Sequence, residues 1–248
     1  MKTYRAELHI HTVLSPCGDV EMIPPLIVET ALNHGINLIA ITDHNAGDNV
    51  PAVIKAAEGL DLVVLPGMEL QTQEDVHTLC LFDTIDQLNT FQSLVDANLP
   101  DIKNNVDYFG EQFVVDHSGE FIRRKEQLLI NSTRLSFERA FQAVTDLGGL
   151  FIPAHVNRQV FGLLYHLGFV PPDLAIEALE LSRHITPDQA RLEFPQIHGY
   201  PLIQSGDVHY LDDFLGVNQF IIEEPTIAEI KMALKGEKGR QFSIRTRF

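Results

Sequence analysis

The sequence predicts an α/β fold in which a parallel sheet closes into a barrel. Three observations predict it. Short apolar runs of strand length recur along the chain, segments with apolar residues three and four apart stand between several of them, and histidines and carboxylates gather where the runs end.

Taken in order, the candidate barrel strands are seven: "RAELHIHT", "INLIAITDH", "DLVVLPGMEL", "VHTLCLF", "GLFIPAH", "IEALELS" and "PLIQSGD". Their near-continuous apolar character is that of strands buried on both faces. In the first run, alternation sends His9 and His11 to one face and Leu8 and Ile10 to the other. The helix that follows, in "EMIPPLIVETALNHG", has Pro24 and Pro25 in its first turn and Gly35 where a left-handed cap is wanted. "TIDQLNTFQSLVDAN", "SFERAFQAVTDLGG" and "PTIAEIKMALKG" repeat the helical spacing. The segment Leu99 to Arg134 breaks the rhythm, and "EQFVVDHSGEFIRR" within it reads as a β-hairpin turning at Ser118 and Gly119. It is either a solvated excursion, which suits its basic run Arg123, Arg124 and Lys125, or a lid over the barrel mouth. No repeat, low-complexity tract or linker is apparent, so the expectation is one domain over residues 1–248 with an insertion at about 99–134.

With 45% hydrophobic residues and a formal net charge of −16, the chain reads as a soluble globular protein. That charge argues against a general polyanion-binding surface, and the expectation is that long nucleic acid is not a partner. A phosphate-bearing substrate must then be attracted locally, as bound cations would do. Cys17 and Cys80 form no C-x-x-C pair, and the start "MKTYRAELHIHT" lacks the basic and apolar regions of a secretion signal. A cytoplasmic protein with free thiols is expected. The sequence has no apolar run long enough to span a membrane.

The C-terminal ends of the strands are where a parallel barrel places its chemistry. Asp43 and His44 follow "INLIAI", Glu69 follows "DLVVLPG", His77 opens "VHTLCLF", His155 follows "GLFIP", and Asp207 and His209 follow "PLIQSG". Together with His9 and His11, six of the eleven histidines lie at these termini. His34, His117, His166, His184 and His198 fall in helical or loop contexts and read as ordinary side chains. A catalytic zinc commonly takes three protein ligands and a water. Six imidazoles with several carboxylates exceed that, which argues for two or three ions.

These motifs, "ELHIHT", "AITDHN", "LPGMEL", "VHTLCLF", "IPAHVNR" and "SGDVHY", occur in the order of the PHP (polymerase and histidinol phosphatase) family of metal-dependent phosphoesterases, which the sequence resembles over most of its length. The resemblance implies a distorted (β/α)7 barrel with up to three divalent ions at its mouth. It implies that His9, His11, Glu69 and Asp207 hold the first ion, His44, His209 and an acidic residue the second, and Glu69, His77 and His155 the third, so that Glu69 bridges two. The chain departs from the family at the acidic residue, where "TVLSPCGDVE" has Pro16 and offers Asp19 or Glu21 later. Asp19 is the choice, because Glu21 equally suits the first turn of the following helix.

Ions a few ångströms apart yield hydroxide near neutral pH and clamp phosphoryl oxygens, so no protein nucleophile is required. The donor set suits Zn, Mn or Fe. Asp43 either orients a liganding imidazole or caps the turn after its strand. Arg158 either forks onto a substrate phosphate or pairs with a surface carboxylate, and Arg183 and Arg134 are lesser candidates of that sort. The expected activity is hydrolysis of a small phosphomonoester or nucleotide. An amidohydrolase also opens with H-x-H, and a metal-stabilised binding module is the non-catalytic alternative.

Overall fold

Strand β1, Lys2–Ile10, lies between a parallel neighbour, β2 (Leu38–Ile41), and an antiparallel one far along the chain. The computed structural model describes residues 1–245. Its further strands are β3 (Val63–Gln71), β4 (His77–Leu81), β5 (Phe113–Val115), β6 (Phe121–Arg124), β7 (Leu150–Pro153), β8 (Leu179–Leu181), β9 (Leu202–Gln204), β10 (Asn218–Ile222) and β11 (Gln241–Ile244). A seven-stranded sheet runs β11-β10-β1-β2-β3-β4-β7, and β8 and β9 form a separate pair. Backbone contacts tie that pair in on both sides: Val156 N–H donates to Glu180 O at 2.9 Å, and Val208 bridges Ile10. The result is a mixed α/β fold with a curled sheet.

All seven runs read as strands are strands. The expectation of parallel pairing is corrected, because only β1–β2, β2–β3 and β8–β9 are parallel, while β3–β4, β4–β7, β1–β10 and β10–β11 are antiparallel. The reason is chain length. Residues 72–76 are too few for the crossover that parallel neighbours need, so β4 turns straight back on β3.

The four predicted helices form as Pro24–Asn33, Ile85–Asp96, Phe137–Asp146 and Ile227–Lys235. Their ends are built as the sequence suggests: Pro24 opens the first, Gly35 follows it at φ +65°, and Thr84 and Gln87 form a reciprocal capping box on the second. Both faces of the sheet are buried. Leu38 and Ala40 join a layer with Ile227 and Ile230 of the last long helix, while Ile39 and Ile41 join the other layer. Leu8 and Ile10 fall into different layers, contrary to simple alternation, because the β1–β2 register shifts between Glu7 and Ile10.

Strands β5 and β6 pair antiparallel around a turn with Gly119 at φ +88°. The pair packs on the segment after β2, where the Asn49 side chain accepts from Val115 N–H and donates to Phe113 O. Its basic residues are already partnered: Arg123 and Lys125 on Asp48, and Arg124 on Glu111. Phe109 and Ile130, on either side of the pair in sequence, are the residues of this segment that reach the wall of the main cavity.

Candidate metal centre

The ends of the strands open into a cavity of about 620 Å³, and the Glu69 carboxylate stands at its base, almost wholly buried. Five imidazoles surround it. Oε1 lies 3.3 Å from His9 Nε2, 2.8 Å from His77 Nδ1 and 3.1 Å from His155 Nε2, while Oε2 lies 3.4 Å from His11 Nε2 and 2.9 Å from His44 Nδ1. Asp207 Oδ1 adds a second carboxylate, 3.3 Å from His9 Nε2 and 3.4 Å from His11 Nε2. His209 stacks on His11 with ring centroids 4.2 Å apart.

Three of the rings are held from behind. His9 Nδ1 meets Glu180 Oε2 at 2.9 Å, leaving Nε2 to face the centre. His11 Nδ1 donates to Ser15 Oγ at 2.9 Å, and that hydroxyl donates to Asp43 Oδ1 at 2.7 Å. His209 Nδ1 donates to the carbonyl of Asp207 at 2.8 Å. The pattern of a ring nitrogen fixed by an oxygen acceptor, with the other turned inward, is that of metal-ligating imidazoles. Two candidates sit on left-handed backbone, His155 at φ +30° and Asp207 at φ +51°. Such conformations persist only where the surroundings hold them.

The donor atoms fit divalent ions. His9 Nε2 and His11 Nε2 face each other at 3.1 Å, and buried polar atoms without an aligned hydrogen bond concentrate here: His77 Nε2 and His155 Nδ1, with His44 Nδ1 and Glu69 Oε2 meeting at 2.9 Å out of alignment. Three groups of donors lie close enough for an ion, namely His9, His11 and Glu69; His11, His44 and His209; and His44, Glu69 and His77. Electrostatics divide the rings: despite burial, Glu180 and Glu69 hold His9, and Cys17 and Glu69 hold His44, well above the usual imidazole value, while burial puts His11 well below it. Burial would raise the Glu69 carboxyl, but His77, His9 and His44 hold it well below the usual range. Burial brings His77 down to about 4 against the pull of Glu69, so its ring is neutral at neutral pH. Burial would raise the Cys17 thiol, yet His44 and His209 bring it down to about 6.

Of the residues expected at the site, His9, His11, His44, Glu69, His77, His155, Asp207 and His209 are brought together. Asp19 is not. Its Oδ1 accepts the backbone N–H of Glu21 at 2.9 Å and closes a local turn, and Glu21 is exposed. Asp43 is fully buried below the cavity and touches no ligand ring directly. Its carboxylate accepts from Thr12 N–H, Thr12 Oγ1 and Ser15 Oγ, each at 2.7 Å, so it acts on His11 through Ser15. Arg158 lines the cavity and pairs with Asp207 Oδ2 at 2.7 Å, and Arg183 lines it paired with Asp213. Arg134 does not line it. Sequence reasoning missed Glu180, Ser15, Cys17 and His184, the last of which was read as ordinary but stands in the cavity wall. The signal for Glu180 was a lone acid inside the apolar run "IEALELS".

A cluster of imidazoles and carboxylates at strand ends is a donor set suited to divalent metal ions. The chain belongs to the PHP domain family, which matches residues 7–157, and PHP domains bind divalent metals. It is 23% identical to the uncharacterized protein YqxK of Bacillus subtilis over an alignment 276 positions long, covering 97% of this chain and 64% of YqxK. Among solved structures it resembles the lesion-specific endonuclease EndoQ of Pyrococcus furiosus, with TM-score 0.71 and 22% identity over 97% of this chain and 58% of that one. A complex of Endonuclease Q with a 27-mer duplex carrying an abasic lesion at the active site matches with TM-score 0.69 and 21% identity, over 97% of this chain and 58% of that one. A proposed metal-dependent phosphoesterase from Bifidobacterium adolescentis matches with TM-score 0.56 and 20% identity, over 83% of this chain and 87% of that one. The chain thus spans less than two thirds of the length of YqxK and of the endonuclease.

These structures overturn the expectation that long nucleic acid is excluded. It rested on net charge, and the fold shared over 97% of this chain is also the fold of a protein seen holding duplex DNA. Net charge is a sum over the whole surface, whereas a phosphate meets only the local field of the site. Among the described residues, no helix is long and apolar enough to cross a membrane.

Proposed function

We propose that this chain is a metal-dependent phosphoesterase that hydrolyses a phosphodiester bond of a nucleic acid strand. The observation that carries the reading is the single Glu69 carboxylate enclosed by five imidazoles at the base of an open cavity. Divalent ions bound there would supply acidified water and charge for the phosphoryl oxygens. In this reading His9, His11, Glu69 and Asp207 hold one ion, His44 and His209 a second, and Glu69, His77 and His155 a third. Glu180 keeps His9 turned inward, and the Asp43–Ser15 relay does the same for His11. Arg158, half-exposed at the rim, offers its remaining N–H groups to a phosphate. Tyr210, 56% exposed, lines the same cavity and offers a ring on which a base can stack. Strands β1, β2, β3, β4, β7, β8 and β9 then make up a distorted (β/α)7 ring in a single domain, with residues 99–134 as its insertion.

The likeness to Endonuclease Q supports the choice of a strand over a small metabolite. The test offers the metal-loaded protein end-labelled oligonucleotides, single-stranded and duplex, with and without an abasic site, beside a panel of phosphorylated metabolites. Strand scission lost in Glu69→Gln is the expected result. Phosphate release from the metabolites with every strand intact would overturn the nucleic acid substrate and favour a phosphomonoester.

A further inference from the structure

The loop between β1 and the helix Pro24–Asn33 brings a thiol, and no carboxylate, to the second histidine pair. Cys17 Sγ lies 3.1 Å from Nε2 of His209, and Cys17, His44 and His209 line the same cavity. Because a carbonyl only accepts, the Asp207 oxygen 2.8 Å from His209 Nδ1 keeps the ring proton there and turns the Nε2 lone pair toward the sulfur. His44 is 6% exposed, and its Nδ1 faces Glu69 Oε2 at 2.9 Å without the alignment of a hydrogen bond. Nitrogens of His11, His44 and His209 lie within 4.8 Å of one another. Sulfur and imidazole nitrogens therefore border one small volume.

The loop that carries the thiol is anchored on both sides of it. Asp43 holds Thr12 and Ser15, and Asp19 N–H donates to His209 O at 2.9 Å. Gly18 packs so tightly that an added Cβ would stand 2.5 Å from Thr12 O. With Asp19 turned back on Glu21 N–H, the sulfur is the loop's donor toward His209. A zinc–sulfur bond of about 2.3 Å and a zinc–nitrogen bond of about 2.0–2.1 Å at a tetrahedral angle set the two donors about 3.5 Å apart. The observed 3.1 Å needs an opening of only a few tenths of an ångström.

We infer that Cys17 is a ligand of the ion held by His44 and His209, in the position where an acidic residue was expected, and that this site prefers a thiophilic ion such as zinc or iron(II) to magnesium. On coordination the S–H bond breaks, its proton leaves to solvent, and the sulfur pair forms the metal bond. Thiolate is a soft donor, which sets the preference. The inference rests on reading the histidine cluster as a metal centre, and the test separates the two.

Cobalt(II) is the probe, added to the metal-free parent, Cys17→Ser and Asp19→Asn proteins. Sulfur ligation predicts a near-ultraviolet sulfur-to-cobalt charge-transfer band in the parent and in Asp19→Asn, absent from Cys17→Ser although cobalt still binds at the other donors. It also predicts that zinc protects Cys17 of the parent from iodoacetamide, read by mass spectrometry, a measurement that needs no variant. Cobalt bound to the parent without the band, with Cys17 alkylated at the same rate with and without zinc, would overturn the sulfur ligand alone. A parent that binds no cobalt would overturn the metal centre and the inference with it.

Discussion

Glu180 Oε2 lies 2.9 Å from Nδ1 of His9, and the same oxygen accepts the backbone N–H of His155 at 3.1 Å. One buried carboxylate thus orients two histidines of the centre, one through its ring and one through its backbone. Removing its charge while keeping its shape, as in Glu180→Gln, is expected to weaken metal binding by about 10–100-fold without unfolding the protein. Calorimetric titration of zinc into the two metal-free proteins, with circular dichroism as the control for folding, checks this. Equal affinities would remove Glu180 from the account.

Asp43 is expected to matter more for stability than for chemistry. Asp43→Ala leaves the Thr12 N–H, the Thr12 hydroxyl and the Ser15 hydroxyl without their acceptor in a buried place. Lost hydrogen bonds to a charged group put the cost at about 3 kcal/mol. Urea denaturation of the metal-free proteins measures it. A change below about 1 kcal/mol would show that the loop is held by other contacts.

His77 and His155 both address Glu69 Oε1, at 2.8 and 3.1 Å. If they serve a third ion, His77→Ala and His155→Ala each lose about one metal equivalent of the three expected on the ligand count, because a site deprived of one of three protein ligands holds its ion weakly. Elemental analysis of each variant beside the parent decides. An unchanged metal content in both would leave two ions and make these rings supports for Glu69.

Arg158 pairs with Asp207 at 2.7 Å while its side chain remains 42% exposed at the cavity rim. Arg158→Ala is expected to lower kcat/KM by about tenfold, chiefly through KM, since one charge-assisted contact to phosphate is worth about 1.5–3 kcal/mol and the exposed position weakens it. Steady-state kinetics on a generic phosphodiester give the split. A loss confined to kcat would instead assign Arg158 to the positioning of Asp207.

Much of the centre was legible because its residues stand at the ends of apolar runs. His9 and His11, the pair Asp43–His44, Glu69, His155 and the Asp207–His209 pair follow or close buried strands, and there a polar side chain has no packing role to explain it. Strand direction was less legible. The reversal of β4 is implied by the five residues between Gln71 and His77, a spacing that apolar periodicity ignores. Strand β11 was missed because it lies at the edge of the sheet, where "QFSI" stays exposed on alternate residues, and β10 was missed although it pairs with β1 and β11 on its two sides. Glu180 was hidden by its neighbours, since "LEL" reads as an ordinary strand until its carboxylate is found on the His9 ring. Cys17 was passed over because only acids were sought at its position, although the loop, and not the strand pattern, decides which side chain reaches His209.

The most direct test of the account is the hydrolysis rate of bis(p-nitrophenyl) phosphate by the protein before chelation, after proven removal of metal, and after addition of zinc, manganese or iron(II). The account predicts that hydrolysis disappears with the metal and returns with at least one of these ions, because no protein nucleophile is invoked and the attacking water depends on the ions at Glu69. Hydrolysis by the metal-free protein at the rate of the untreated protein would contradict it.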